Sequence, residues 1–353
     1  MPVRRRRRRR RPAGHSCLVT VMYVAFILGV SMFLASFAIL CANDVFAFFK
    51  PDRAAVVEIT AQDDAESVGA KLEEAGVINY KSLFAIYARI SKEEKRFKTG
   101  KYELNASLDY SAIARTLRRT SSYKETIRVT IPEGYTTKQI VELLVEKNVC
   151  AEEDLWKAVK NADFKYDFLA DAEKGTETRL EGFLFPDTYE FYINDKAETV
   201  LGKLLSNFNS KVTEEMRADM KEAEISFAEL VNIASLVERE AKLDEERATV
   251  SSVIHNRLNN SKAYPYLQID ATIQYLTGRV PTSDDLKIDS PYNTYLYGGL
   301  PPTAIANPGI ASIKAALYPD DTDYYYYVAR DDGSHIFSKT LDEHNKAIAS
   351  VSK

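Results

Sequence analysis

A chain of 353 residues with a formal charge of −4 has room for one large domain or two modest ones. Eight consecutive arginines, Arg4 to Arg11, mask a stronger bias: without them the charge of the remainder goes from −4 to −12, which argues against nucleic acid as a partner. Three cysteines, two of them flanking one apolar stretch, exclude a disulfide framework, and no Cys/His spacing suggests a metal site.

The arginines are followed by SCLVTVMYVAFILGVSMFLASFAILCAN, which carries no charge until Asp44. Residues 17–42 would span about 39 Å as a helix, enough to cross a bilayer with tilt. Arginines ahead of such a span hold that end in the cytoplasm. Residues 1–16 are therefore expected to be a cytoplasmic tail and 17–42 a transmembrane helix, with the rest extracytoplasmic. A cleaved signal peptide is the rival, but its apolar core would be shorter.

Beyond the span one pattern occurs twice. VEITAQDDAESVGAKLEEAGVI (57–78) aligns without a gap with VTIPEGYTTKQIVELLVEKNVC (129–150), at an offset of 72. Ile59 matches Ile131, Val68 Ile140, Leu72 Leu144, and Val77 Val149. Leu83 and Phe84 then match Leu155 and Trp156. Each copy reads as strand, turn and amphipathic helix, over 56–88 and 128–160. The first copy continues through a second strand and helix (97–119), so residues 54–125 form a small α+β module. SSYKET (121–126) marks the boundary.

EGFLFPDTYEF (181–191) reads as a buried turn around Glu181 and Asp187. Residues 197–258 are helical in pattern, but the apolar arc moves. Phe227, Leu230, Val231, Ala234, Val237 and Ala241 share one side; Val250, Val253, Ile254 and Leu258 lie nearly opposite. One straight helix cannot bury both, so a break falls near Lys242–Asp244, with Asp244 as N-cap of the second piece. Glu238 falls inside the first arc and Glu240 at its edge. A carboxylate turned toward a core is costly unless compensated. It suits a general acid, because an apolar pocket favours the protonated form.

Residues 261–310 are rich in Pro, Gly, Asn, Asp and Tyr, and read as a long functional loop segment. LQID (267–270) and YNTY (292–295) set amides, carboxylates and hydroxyls beside tyrosine rings, which fits an open sugar groove. DYYYYVA and SHIFS then form a hairpin around RDDG. A last helix opens at the Thr340…Glu343 capping box.

In their order and spacing, EGFLFPDTY, ASLVERE, SSVIHNRL, LQIDATIQY, YNTY, GLPPTAIANPG, YYYYVA and SHIFSKTLDEH resemble the endolytic murein transglycosylase, or YceG-like, family over about residues 127–350. The resemblance implies an α+β protein: one N-terminal transmembrane helix, a LysM-like module at 54–125, and a catalytic domain at 126–353 whose broken helix carries the acid, with a second LysM-like unit at 128–160. It implies membrane-bound, cofactor-free cleavage inside peptidoglycan glycan strands. It places the catalytic acid at Glu238, while Gln268, Asp270, Asn293, Tyr295 and His335 match family positions and are candidates for binding substrate. Besides the glycan strands, the partners implied are membrane lipid, through one helix, and peptidoglycan synthases of the elongation or division machinery. Two rival classes remain open. A hydrolytic muramidase needs a second carboxylate, with Asp270 or Asp187 the candidates. A non-catalytic wall-binding scaffold would rest on the repeats alone.

Overall fold

The computed structural model describes residues 14–351, so the arginine run Arg4 to Arg11 lies outside the described residues. The chain divides into two compact units at Lys124–Glu125. The first opens with α1 (Gly14–Phe46), followed by β1 (Ala54–Ile59), α2 (Ala65–Glu74), α3 (Lys81–Ile90), β2 (Gly100–Asn105) and α4 (Tyr110–Leu117). Residues 18–40 of α1 are exposed on every side, and Leu18–Phe46 is long and apolar enough to cross a membrane. A helix apolar all round, with no protein against it, suits lipid. Its last turn is tied to the module. Asp44 is fully buried, accepts hydrogen bonds from the backbone N–H groups of Asn79 (2.9 Å) and Tyr80 (3.0 Å), and pairs with Lys50 at 2.9 Å.

β1 and β2 are antiparallel, with Ala54 opposite Asn105 and Ile59 opposite Gly100. Strand alternation sends Val57, Ile59, Tyr102 and Leu104 inward onto Leu72, Phe84, Ile113 and Leu117.

The second unit opens with β3 (Thr126–Thr130), α5 (Thr137–Glu146), α6 (Glu152–Asn161) and β4 (Thr188–Tyr192), and β4 pairs antiparallel with β3. Helix α5 repeats α2 residue for residue at the offset of 72. A capping box opens each, at Asp64 and at Thr136. The left-handed residue after each is displaced equally: Gly76 (φ 69°) and Asn148 (φ 55°). Val57, Ile59, Val68, Leu72 and Val77 are buried, and so are Val129, Ile131, Ile140, Leu144 and Val149. In both units the chain runs strand, helix, helix, strand.

The rest of unit two is α7 (Ala197–Lys211), α8 (Glu214–Glu222), α9 (Phe227–Glu240), α10 (Arg247–Asn259), α11 (Asp270–Thr277), α12 (Ile310–Leu317), β5 (Tyr326–Ala329), β6 (His335–Ser338) and α13 (Leu341–Val351). Strands β5 and β6 form an antiparallel hairpin. Between α9 and α10 lies one 3₁₀ turn, Asp244–Glu246. Asp244, read from the sequence as an N-cap, opens this turn instead. Its carboxylate is engaged by Arg247 Nε at 3.0 Å, and Glu246 precedes α10. The segment 261–310 is less irregular than its composition suggests, because α11 forms within it and ends at Gly278 with φ 71°.

Helix α9 is the centre of this unit: Leu230 to Val237 are buried without interruption, and α10, α11 and α12 all pack on it. Around it the irregular segments are joined by Asn307, which is fully buried. Its side-chain oxygen accepts from the N–H groups of Gly182 (3.0 Å) and Leu184 (2.8 Å). Its amide donates to the Tyr135 carbonyl and to Glu181 Oε1, both at 3.0 Å. Gly182 has φ +90°, and a Cβ there would lie 2.8 Å from Ala304 Cβ, so this turn requires glycine. Glu181 is 4% exposed and also accepts from Thr137 N–H and Tyr275 O–H.

Burial pushes the Glu181 carboxyl up to about 7 from 4.5, against the opposing effect of those hydrogen bonds. The folded state therefore holds a proton that the unfolded chain releases at lower pH. This contribution to stability is complete below pH 4.5 and is lost as pH rises to about 7, by about 3 kcal/mol. Glu181→Gln removes the titration and keeps the shape. The melting temperature of the variant relative to wild type should rise across pH 4.5–7. A difference that is flat with pH would contradict the assignment.

Candidate active site

Helix α9 ends in three charged residues, Glu238, Arg239 and Glu240, on three different bearings. Residues two apart on a helix point about 200° apart, so the two glutamates face opposite sides. Arg239 lies outward between them, donating to Gln274 Oε1 (3.0 Å) and to the Gly134 carbonyl (3.4 Å).

Glu238 faces the start of α12. Its Oε2 accepts from Gly309 N–H (3.1 Å) and Ser312 Oγ (2.8 Å) and lies 3.5 Å from Arg247 Nη1. Arg247 also donates to Ser312 at 2.6 Å. Spare N–H donors at a helix N-terminus need acceptors, and this carboxyl supplies one. Glu238 thereby joins the end of α9 to the starts of α10 and α12. The Glu133 carboxyl lies over Gly309: a Cβ there would fall 1.9 Å from Glu133 Oε1, so any side chain at 309 would displace that carboxyl. Glu133 is exposed as a residue, but partial desolvation of its carboxyl, together with the charge of Glu238, pushes its pKa up. It is an acid that the sequence reading missed; the only signal was an acid in the turn IPEG.

Glu240 faces the other way, into a ring of tyrosines. It is half-buried rather than solvated, and accepts from Tyr327 O–H at 3.0 Å and from Ala271 N–H. Burial pushes its carboxyl up, the hydrogen bonds oppose this, and the neighbouring charge of Asp270 adds to it. Asp270 is exposed and accepts from Tyr295 O–H at 2.6 Å. Gln268, also exposed, holds a left-handed backbone (φ 57°) and accepts from Arg257 Nη1 at 3.3 Å.

From the sequence, Glu238 is the candidate acid and LQID (267–270) with YNTY (292–295) the candidate sugar groove, so the two are expected together. The structure brings Asp270 to Glu240 instead, with Tyr295 bonded to it, while Glu238 meets residues 133–134, 247 and 309–312. Two further candidates are corrected on physical grounds. Asn293 is fully buried; its amide donates to the Leu286 and Ile288 carbonyls and its oxygen accepts from Tyr295 N–H, so it closes a loop and has nothing left for sugar. His335 is 6% exposed, with Nδ1 2.8 Å from Glu246 and its ring edge-on to Tyr327 at 5.4 Å. It packs between Glu246 and the tyrosine. Asp187, the other carboxylate considered for hydrolysis, bonds Asn207 at 3.0 Å between β4 and α7, with neither glutamate.

If Glu238 is an anchor, Glu238→Ala strips Arg247, 10% exposed, of its buried anion and leaves it the 80% exposed Asp244 and the more distant charge of Glu133. Stripping one partner from a buried ion pair costs about 3–5 kcal/mol. Urea unfolding should register that loss, with a smaller one for Glu238→Gln. Wild-type stability in Glu238→Ala would dismiss the anchoring role.

Comparison with known proteins agrees with this architecture. The chain is 34% identical over 304 residues to the endolytic murein transglycosylase of Bacillus subtilis (strain 168), covering 82% of this chain and 83% of that protein. It is 28% identical over 321 residues to the endolytic murein transglycosylase of Streptococcus pneumoniae (strain D39), covering 83% of this chain and 57% of that longer protein. A crystal structure of a YceG-like protein from Listeria monocytogenes is similar with a TM-score of 0.55 and 31% identity, over 84% of this chain and 99% of that one. Residues 57–350 match the YceG-like family, and the chain belongs to it.

Proposed function

We propose that this protein is a membrane-anchored endolytic lytic transglycosylase. It cleaves the β-1,4 bond between N-acetylmuramic acid and N-acetylglucosamine inside peptidoglycan strands and leaves 1,6-anhydro ends. Family membership and the two curated relatives support the reaction class. The apolar helix α1 supports anchoring, and the arginines before it favour a cytoplasmic N-terminus and an extracytoplasmic catalytic unit. The two strand–helix–helix–strand units are read as LysM-like glycan binders. Peptidoglycan synthases are the partners that would supply such strands.

The observation that carries the mechanism is the pair of opposed glutamates on α9, the first half of the broken helix pair. The sequence reading places the acid at Glu238; the surroundings favour Glu240. A general acid must hold a proton at working pH, and burial beside Asp270 favours the protonated Glu240 carboxyl. Tyr327 holds one of its oxygens at 3.0 Å, which fixes the orientation of the carboxyl. The protonated group donates to the glycosidic oxygen as the bond from muramyl C1 breaks. The muramyl C6 oxygen then closes on C1, and its proton passes to the Glu240 carboxylate. Because the nucleophile belongs to the substrate, one acid/base suffices. Gln268, Asp270 and Tyr295 stand exposed or half-buried on this side and are read as sugar contacts.

Mass spectrometry of glycan strands digested by the purified protein separates the possibilities. Glu240→Gln should lower anhydro-product formation by about 10²–10⁴-fold without unfolding the protein. Glu238→Gln should stay within about tenfold of wild type, since it alters an anchor rather than the proton donor. The reverse ranking would return the acid to Glu238. Reducing ends in place of anhydro ends would favour hydrolysis, with Asp270 as the second carboxylate.

The alkaline limb of kcat/KM should follow loss of the Glu240 proton. The charge of Asp270 raises the pKa of Glu240, so Asp270→Asn should move that limb to lower pH. An unmoved limb would mean that the two carboxyls are not coupled in the working enzyme.

A further inference from the structure

Behind the Glu240 tyrosines lies a cavity of about 350 Å³, within the size range of small-ligand sites. Tyr295 and Tyr327 line it, and their hydroxyl groups meet Asp270 and Glu240, so an occupant would be one side chain away from the proposed acid. Arg257 forms part of its wall and is 8% exposed. Nε donates to the Tyr325 carbonyl (2.6 Å), and Nη1 to the Tyr266 and Leu267 carbonyls and Gln268 Oε1. The ring of Tyr326 lies 5.0 Å from its Cζ. Among the described residues no carboxylate pairs with it, and Nη2 makes no hydrogen bond. A guanidinium taken out of water without a counter-anion is costly, and its carbonyl partners cancel only part of its charge. Burial accordingly pushes Arg257 below its ordinary pKa. With Nε and Nη1 engaged, Nη2 is the donor left to meet a carboxylate.

Resting on the reading of the substrate given above, we propose that this cavity is a specificity subsite for the carboxylate-bearing 3-O-lactyl ether substituent of the muramyl residue, with Arg257 as its counter-ion. That carboxylate has two possible sources: the free lactyl group of a stripped strand, or the stem peptide attached to it. No bond forms or breaks here. The subsite orients the muramyl ring so that C1 and the C6 oxygen lie at Glu240. It also explains why tyrosine rings and an uncompensated cation share one wall, since a sugar acid offers a ring face and an anion together.

Binding to the full-length protein in detergent tests this without relying on catalysis. The probes, followed by saturation-transfer NMR, are N-acetylmuramic acid, muramyl dipeptide and N-acetylglucosamine, which lacks the acidic substituent. Both acids should bind at least tenfold more tightly than N-acetylglucosamine, and the tighter of the two identifies the source of the carboxylate. Asn345→Trp, on the exposed face of α13 at the cavity wall, should weaken both acids at least tenfold. Arg257→Gln should do the same, and Asn345→Trp decides the matter if Arg257→Gln fails to fold. Acids that bind no better than N-acetylglucosamine, or wild-type binding in Asn345→Trp, would overturn the subsite. Absence of anhydro products from the wild-type enzyme would instead overturn the reaction, while leaving this binding result to stand or fall separately.

Discussion

The site depends on a buried amide. Asn307 uses both hydrogens and its oxygen to hold segments distant in sequence: the Tyr135 loop, the Gly182–Leu184 turn and Glu181. Its backbone closes the same ring, accepting from Gly134 N–H and donating to the Tyr135 carbonyl, at 2.9 and 2.8 Å. An unpaired polar group here would cost far more than one hydrogen bond is worth, so the ring forms whole or not at all. Two residues later the chain reaches Gly309 and the start of α12. The position of that helix end, and of Glu133 beside it, is thus set by a side chain that touches neither glutamate.

The end of α9 then divides two tasks between residues of one type. Glu238 receives Gly309, Ser312 and Arg247, and fixes where α9 stops relative to α10 and α12. Such an arrangement works because donors converge on it. Glu240 is suited to the opposite task because they do not: one tyrosine hydroxyl and one backbone N–H reach it, and a second carboxylate stands nearby. The two roles need opposite surroundings, and a helix supplies them by its 100° turn per residue.

Much of the scaffold was legible in the sequence. The offset of 72 recurs in the bounds of α2 and α5, in their capping boxes and in the left-handed residues after them, because a repeated apolar pattern buries the same face twice; α3 and α6 are offset by 71, so buried Phe84 answers to buried Leu155 rather than to Trp156. The inward turn of Glu238 was legible, and its side chain is 8% exposed, but what it meets was not. An apolar arc locates a core only for a helix with a solvent side, and Leu230 to Val237 are buried all round. At the end of such a helix, what a side chain meets depends on which neighbour arrives there. Those neighbours, Gly309 and Ala271, come from distant segments. The burial of Asn293 and His335 was not legible for a related reason. A polar residue in a loop looks the same in sequence whether it closes that loop or faces a ligand.

Helix ends sharpen the contrast between the two acids. Glu240 is the last residue of α9, where unpaired carbonyls carry the negative end of the helix dipole and oppose a second negative charge. The N–H of Ala271, in the first turn of α11, works against this and gives the carboxylate a partner once it forms. An acid that must first give a proton and then take one back is served by such a balance. Too much opposition to the charge would keep it from donating, and too little would leave it ionised before substrate arrives. In the proposed mechanism Asp270 and Tyr327 would set that balance from the side, without needing to touch the reacting bond.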